Sequence, residues 1–197
     1  MQKETHKGTA TFYAKSQTAW RNWLQINHES STAVWLIIYR KQSKVPSIYY
    51  SEAVDEALCF GWIDSTPNKR DSESYYQFFA KRNPKSNWSK VNKDKVEKLI
   101  NEGRMAAAGL AAIAIAKQNG TWDALNKVDA LTIPDDLKKL FETNKTAFTN
   151  WEKFAKSSRR GILEWIHNAK RPETRQKRIE ETVSLAEKNL KANQYPR

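Results

Sequence analysis

Cysteine and long apolar segments are what this sequence of 197 residues has least of. Its one cysteine, Cys59, cannot form an intramolecular disulfide, so the fold must depend on packing, as is usual in a reducing cytoplasm. No apolar run approaches the roughly 20 residues that a membrane-spanning helix needs. Residues 1–8 also lack the apolar core of a secretory signal. We therefore expect a cytoplasmic protein with no disulfide and no transmembrane segment.

Motifs that identify several enzyme classes are also missing. The sequence contains no G-x-S-x-G, no P-loop and no dinucleotide-binding fingerprint. Its three histidines, His6, His28 and His167, are scattered and show no paired spacing of metal ligands. We therefore expect neither a metal nor a cofactor, and a binding function is favoured over catalysis.

The sequence is rich in aromatic residues and in positive charge. Eight tryptophans and an aromatic content of 11% exclude a disordered chain, which lacks the apolar surface needed to fold. The formal net charge of +12 is spread evenly over both halves of the chain. Such a surface attracts polyanions, for example nucleic acid or phosphorylated ligands, or it serves only to keep the protein soluble. Both interpretations stay open at this point.

Hydrophobic periodicity predicts an α+β protein. A small mixed α/β N-terminal half with a short antiparallel sheet is followed by an all-helical C-terminal half. The pattern predicts a frayed segment at 1–11, a helix at 17–27, strands at 33–39, 61–65 and 75–79, and a long hairpin loop at 66–74. We place the boundary at residue 104, giving an α+β region (1–104) and a helical region (105–197). One compact domain overall is compatible with the same pattern.

Further helices are predicted from their terminal residues. Ser51, Asn92 and Ser157 are candidate N-caps, and Pro134 and Pro172 stand where helices begin. The alanine-rich segment 105–116 is too short to span a bilayer, so we expect a tightly packed, buried helix there.

Two stretches of this sequence resemble a known family. One runs through EAVDEALCFGWIDS (52–65) and continues in FAKRNPKSNWS (79–89), and the other occupies residues 157–179. Both resemble the YdeI/OmpD-associated family, often labelled bacteriocin-protection proteins. The resemblance implies a role in resistance to antibacterial peptides or to stress. It supplies no catalytic residues.

The segment 81–90 is the first candidate site. Arg82 offers a planar guanidinium for a carboxylate or phosphate, Lys85 and Ser86 add a charge and a donor, and Trp88 could form an aromatic wall. These residue types together suggest an anion pocket. The alternative is that Ser86 caps a helix, Trp88 belongs to the core and Lys85 faces solvent.

A basic run near the C-terminus is the second candidate. Arg171, Arg175 and Arg178 fall on one helical face, an arrangement suited to a row of phosphates. Arg175 and Arg178 could equally pair with Glu181 or with acids on neighbouring helices.

Acidic residues give the alternative site. Glu56 shares a helix face with Glu52, and Asp64 follows on the next strand, so these acids could work with Arg82 in acid–base chemistry. That enzyme hypothesis requires Glu56, Asp64 and Arg82 to meet in one cleft. Acids in a first helical turn also favour the helix dipole without any further role.

The leading hypothesis is a non-enzymatic cytoplasmic binding protein with a protective or stress role, which engages an anionic partner through basic and aromatic surfaces. The alternative is a small-molecule enzyme or ligand pocket in the α+β half. A third class, an interaction partner of another protein, stays open.

Overall fold

The computed structural model describes residues 4–193, which form two compact units, 4–123 and 124–193. The first unit contains a sheet and the helices that pack on it, and the second consists of helices, so the α+β class is confirmed. The alanine-rich helix lies in the first unit rather than after the boundary at residue 104. That the two regions fold as independent domains stays a prediction.

The elements of the first unit are β1 (Thr5–His6), β2 (Thr9–Tyr13), α1 (Gln17–Asn27), β3 (Ala33–Tyr39), α2 (Tyr50–Cys59), β4 (Trp62–Lys69), β5 (Ser74–Lys81), α3 (Lys90–Asn101) and α4 (Ala107–Gln118).

The sheet has five strands in the order β1-β2-β3-β5-β4. The expectation of an antiparallel sheet is wrong at one pairing, because β2 and β3 run parallel. Helix α1 connects these two strands, and parallel neighbours need such a crossover. The expectation of a frayed segment at 1–11 is also wrong where β1 and β2 form, since their backbone groups pair within the sheet.

The β4–β5 hairpin is longer than the sequence predicts, and residues 66–69 are strand rather than loop. Pro67 is tolerated because β4 is an edge strand and its pairing is irregular between Asp64 and Pro67. The connection is short because the Asp71 carboxylate accepts hydrogen bonds from the backbone N–H groups of Glu73 and Ser74.

The core of the first unit lies between the sheet and helices α1 and α2. Trp20 and Leu24 of α1 are fully buried, as are Ala57 of α2 and Phe79 of β5. A smaller cluster around Trp35 occupies the other face of the sheet. This core fixes the ends of α1, α2 and β5, which surround the candidate site described below.

Helix α4 corrects one expectation about burial. Only Gly109, Ile113 and Ala116 are buried, whereas Leu110 and Ile115 remain 46% and 43% exposed. The helix is apolar around its whole circumference, so one apolar face is left uncovered within its own unit. None of the helices among residues 4–193 combines the length and hydrophobicity needed to cross a membrane.

The second unit buries its own core, in which Leu137, Phe141, Trp151, Ile162 and Ile179 take part. Three of the predicted N-caps are wrong, because Tyr49, Ser89 and Ala155 rather than Ser51, Asn92 and Ser157 precede the helices. Pro134 and Pro172 stand at helix starts, as predicted. The helices of this unit are α5 (Asn126–Asp129), α6 (Asp135–Thr143), α7 (Lys145–Lys153), α8 (Lys156–His167) and α9 (Pro172–Glu187).

Candidate ligand-binding cavity

A cavity of about 340 Å³ lies within the first unit, between the end of β5 and helix α4. Its volume is within the roughly 300–1,000 Å³ range of small-molecule sites. One wall is the exposed apolar face of α4, and the opposite wall carries Phe60, Trp62 and Trp88. Arg82 lines the same cavity. An apolar cleft lined by a partly buried guanidinium is the strongest candidate for a binding site in the first unit.

Helix α4 is held at both ends, which keeps the cavity open. At its start, the Ala106 N–H donates to the Cys59 carbonyl oxygen at 3.0 Å. Gly109 permits this approach, because a Cβ there would lie 2.2 Å from the same oxygen. Beyond its end, Asn119 Nδ2 and Thr121 Oγ1 both donate to the Pro84 carbonyl oxygen. The cavity is therefore preformed by one main-chain hydrogen bond at the start of α4 and two side-chain hydrogen bonds beyond its end.

Gly61 lines the cavity and lies against helix α4. Its φ of +72° lies in the left-handed region, and a Cβ there would approach the Ala108 carbonyl oxygen to 3.0 Å. The Gly61 carbonyl oxygen accepts a hydrogen bond from the Arg82 N–H at 2.9 Å. This bond fixes the backbone from which the Arg82 side chain enters the cavity.

The Arg82 guanidinium is poorly satisfied. Its carbon Cζ lies 3.8 Å from the centre of the Trp88 ring, and one Nη donates to the Asn87 carbonyl oxygen. Its Nε is buried and has no hydrogen-bond partner among the described residues. No described carboxylate forms an ion pair with it, and burial lowers the pKa of Arg82 to about 10. An unmet donor on a desolvated cation favours an anionic ligand.

The other charged groups at the cavity stand at its rim. Lys81 Nζ donates to the Glu29 carbonyl oxygen at 2.7 Å. The Glu29 carboxylate lies 3.8 Å from His28 Nε2, and its side chain is 88% exposed. These groups are solvated or already bonded, so Arg82 is the cation that an enclosed ligand would meet.

The sequence-predicted pocket residues divide into two pairs. Arg82 and Trp88 come together in the cavity, although Trp88 is only 2% exposed and packs as a core residue does. Lys85 is exposed, Ser86 Oγ donates to the Asn83 carbonyl oxygen at 2.7 Å, and neither residue lines the cavity. The role of all four in anion binding stays a prediction.

The structure does not bring Glu56, Asp64 and Arg82 into one cleft, because neither acid lines the Arg82 cavity. Glu56 is 2% exposed, and its carboxylate binds Arg21 and Arg104 at 2.6 Å each. Asp64 instead accepts a hydrogen bond from the Tyr50 hydroxyl at 2.6 Å. Sequence reasoning missed both arginine partners of Glu56, since they lie 35 and 48 residues away along the chain.

The basic face of α9 is largely engaged within the second unit. Arg175 binds Asp136 with two hydrogen bonds, of 2.6 and 3.0 Å, and this contact lowers the pKa of Asp136. Arg178 donates to the Trp165 carbonyl oxygen and lies 4.9 Å from the centre of that ring. Arg171 precedes α9 and is exposed. Polyanion binding by this face stays a prediction.

Comparisons with known proteins give two family matches. Residues 12–112, which include most of the cavity, match the family model described as Domain of unknown function (DUF8412). Residues 130–189 match the one described as Bacteriocin-protection, YdeI or OmpD-Associated. No curated protein and no solved structure matched the chain. The second match confirms the YdeI/OmpD-associated resemblance at residues 157–179, whereas the two N-terminal stretches fall within the first match. The chain belongs to the DUF8412 family over just more than half its length, and its second unit contains a YdeI/OmpD-associated domain.

Proposed function

We propose that this protein is a cytoplasmic, non-enzymatic binding protein that holds a small organic anion in the Arg82 cavity, as part of a bacteriocin-protection or stress-resistance role. The single observation that carries the proposal is the Arg82 guanidinium, which lines an apolar cavity and has no ion-pair partner among the described carboxylates. The description of the family matched by residues 130–189 supports the protective role.

An anionic ligand supplies the negative charge that the lining of the cavity does not place beside Arg82. A carboxylate or phosphate oxygen accepts from the Arg82 guanidinium and neutralises a charge that no described carboxylate balances. The aromatic and alanine walls take the apolar part of the ligand, because removing apolar surface from water is favourable. The required ligand therefore has one anionic group and one apolar body.

Binding without reaction is favoured by the chemistry of the lining. The acids that could act as general bases, Glu56 and Asp64, are bound to other side chains away from the cavity. Glu29 is largely solvated, and His28, which also lines the cavity, has its Nδ1 2.9 Å from the Leu24 carbonyl oxygen. The cavity provides a charge and a shape, which are the requirements for recognition.

Calorimetric titration with three organic acids, benzoate, indole-3-acetate and octanoate, tests this function. At least one should bind, and Arg82→Gln should weaken it by about tenfold or more, because a charge-assisted hydrogen bond is lost. Lys85→Gln is the matched control, since it removes a neighbouring charge that does not line the cavity. Binding of none of the acids, or equal loss in both variants, would contradict the proposal.

A further inference from the structure

The long wall of the cavity is a row of methyl groups. Ala108, Ala111, Ala112, Ile115 and Ala116 of α4 all face it. These positions span about two helical turns, or roughly 12 Å along the helix axis. A wall of this kind offers continuous apolar contact and no hydrogen-bonding group from its side chains.

The aromatic residues of the opposite wall do not offer open ring faces. Trp62 and Trp88 are 1% and 2% exposed, and Phe60 is 5% exposed. The Arg82 guanidinium also covers the Trp88 ring. A flat aromatic ligand gains affinity by stacking on an accessible face, which these buried rings do not provide.

The charged and apolar parts of the cavity lie at different ends of α4. Pro84, two residues after Arg82, is bonded to Asn119 and Thr121, which follow the end of the helix. At the beginning of the helix, a second cavity of about 330 Å³ adjoins the first around Phe60 and Ala108. The α4 side of this second cavity is again alanine, at residues 106–108, whereas Arg21, Gln25, His28 and Glu29 line much of the rest.

We propose that the ligand is a single alkyl chain ending in a carboxylate, with the carboxylate on Arg82 and the chain along the alanine face of α4. This inference rests on the proposed function and narrows it to one ligand class. A slender flexible chain fits a methyl-lined groove, and its one charge meets the Arg82 guanidinium. Flat aromatic acids are the competing class.

A chain-length series of straight-chain carboxylates, butyrate, hexanoate, octanoate and decanoate, tests the inference by calorimetry. Each added pair of methylenes should raise affinity roughly tenfold until the groove is filled, since each buried methylene is stabilising. Benzoate and 2-naphthoate are the aromatic comparison. Affinity independent of chain length, or tighter binding of 2-naphthoate than of octanoate, would overturn the inference.

Two alanine variants of α4 test the placement. Ala111→Trp puts a large side chain on the wall of the cavity, and Ala114→Trp makes the same change at an exposed position that does not line it. Octanoate binding should fall at least tenfold in the first and stay unchanged in the second. Unchanged binding in Ala111→Trp would overturn the placement. Aromatic acids that bind and depend on Arg82, with alkyl acids that do not, would refute the alkyl chain and leave the proposed function standing.

Discussion

The Arg82 guanidinium carbon lies 3.8 Å from the centre of the Trp88 ring, closer than in any other cation–ring contact among the described residues. The electron-rich ring stabilises the cation in place of a carboxylate. This substitution matters because a carboxylate partner would fill the position that an anionic ligand needs. The pair therefore holds a positive charge at the cavity with no described carboxylate beside it.

Glu56 is expected to be structural rather than catalytic. Glu56→Gln removes the negative charge between Arg21 and Arg104 and should lower the free energy of unfolding by about 3 kcal/mol, because two partly buried cations lose their partner. Urea unfolding measures the effect. Glu97→Gln, an exposed site on α3, should stay within about 0.5 kcal/mol of the wild type. Equal stability of the two variants would show that the Glu56 contacts contribute little.

Two glycines in helices should respond to alanine in opposite directions. Gly109→Ala would place a Cβ 2.2 Å from the Cys59 carbonyl oxygen, so α4 must shift. The free energy of unfolding should fall by about 1–3 kcal/mol. Gly161→Ala meets no atom within 4 Å and should stabilise α8 by about 0.5–1 kcal/mol. Thermal and urea unfolding of both variants check the signs. A stabilising Gly109→Ala would contradict the close approach of α4 to Cys59.

The Asp136–Arg175 pair should give acid-dependent stability. The contact holds the pKa of Asp136 below its ordinary value of 3.8, so its stabilisation is complete above that value and is lost as pH falls through the lowered pKa. The Arg175 and Asp136 side chains are 31% and 40% exposed, so Arg175→Gln should cost only about 0.5 kcal/mol at neutral pH.

Urea unfolding at neutral pH and at about pH 3 checks this linkage, because the difference between wild type and Arg175→Gln should shrink in acid. Lys177→Gln, an exposed change on the same helix, is the control and should show no such trend. A difference that stays constant with pH would mean that Arg175 does not stabilise the Asp136 carboxylate.

Local sequence patterns were sufficient for the elements with strong periodicity. Helix α1 and strand β3 have the predicted bounds, because helical spacing of Trp20 and Leu24 and the continuous run 34–38 each favour one conformation. The parallel pairing of β2 could not be predicted in the same way. Its five residues are too few to show a periodic pattern, and pairing with β3 decides its conformation.

The candidate site was only partly predictable for a similar reason. Arg82 and Trp88 are six residues apart and their types alone suggest an anion site with an aromatic wall. The opposite wall comes from Ala108 to Ala116, whose composition is equally typical of a buried helix. Ion-pair partners such as Asp136 for Arg175 lie 39 residues away, and local spacing carries no information about them.

The Arg82 Nε–H resonance gives the most direct test of an anion in the cavity. In a proton–nitrogen correlation spectrum the resonance is identified by its absence from Arg82→Gln, and octanoate or benzoate is then added. We expect the resonance to move as the Arg82 guanidinium gains an anionic partner, while that of Arg175 Nε, already bonded to Asp136, stays in place. An Arg82 resonance that does not move, at concentrations where calorimetry detects binding, would show that Arg82 does not hold the anion.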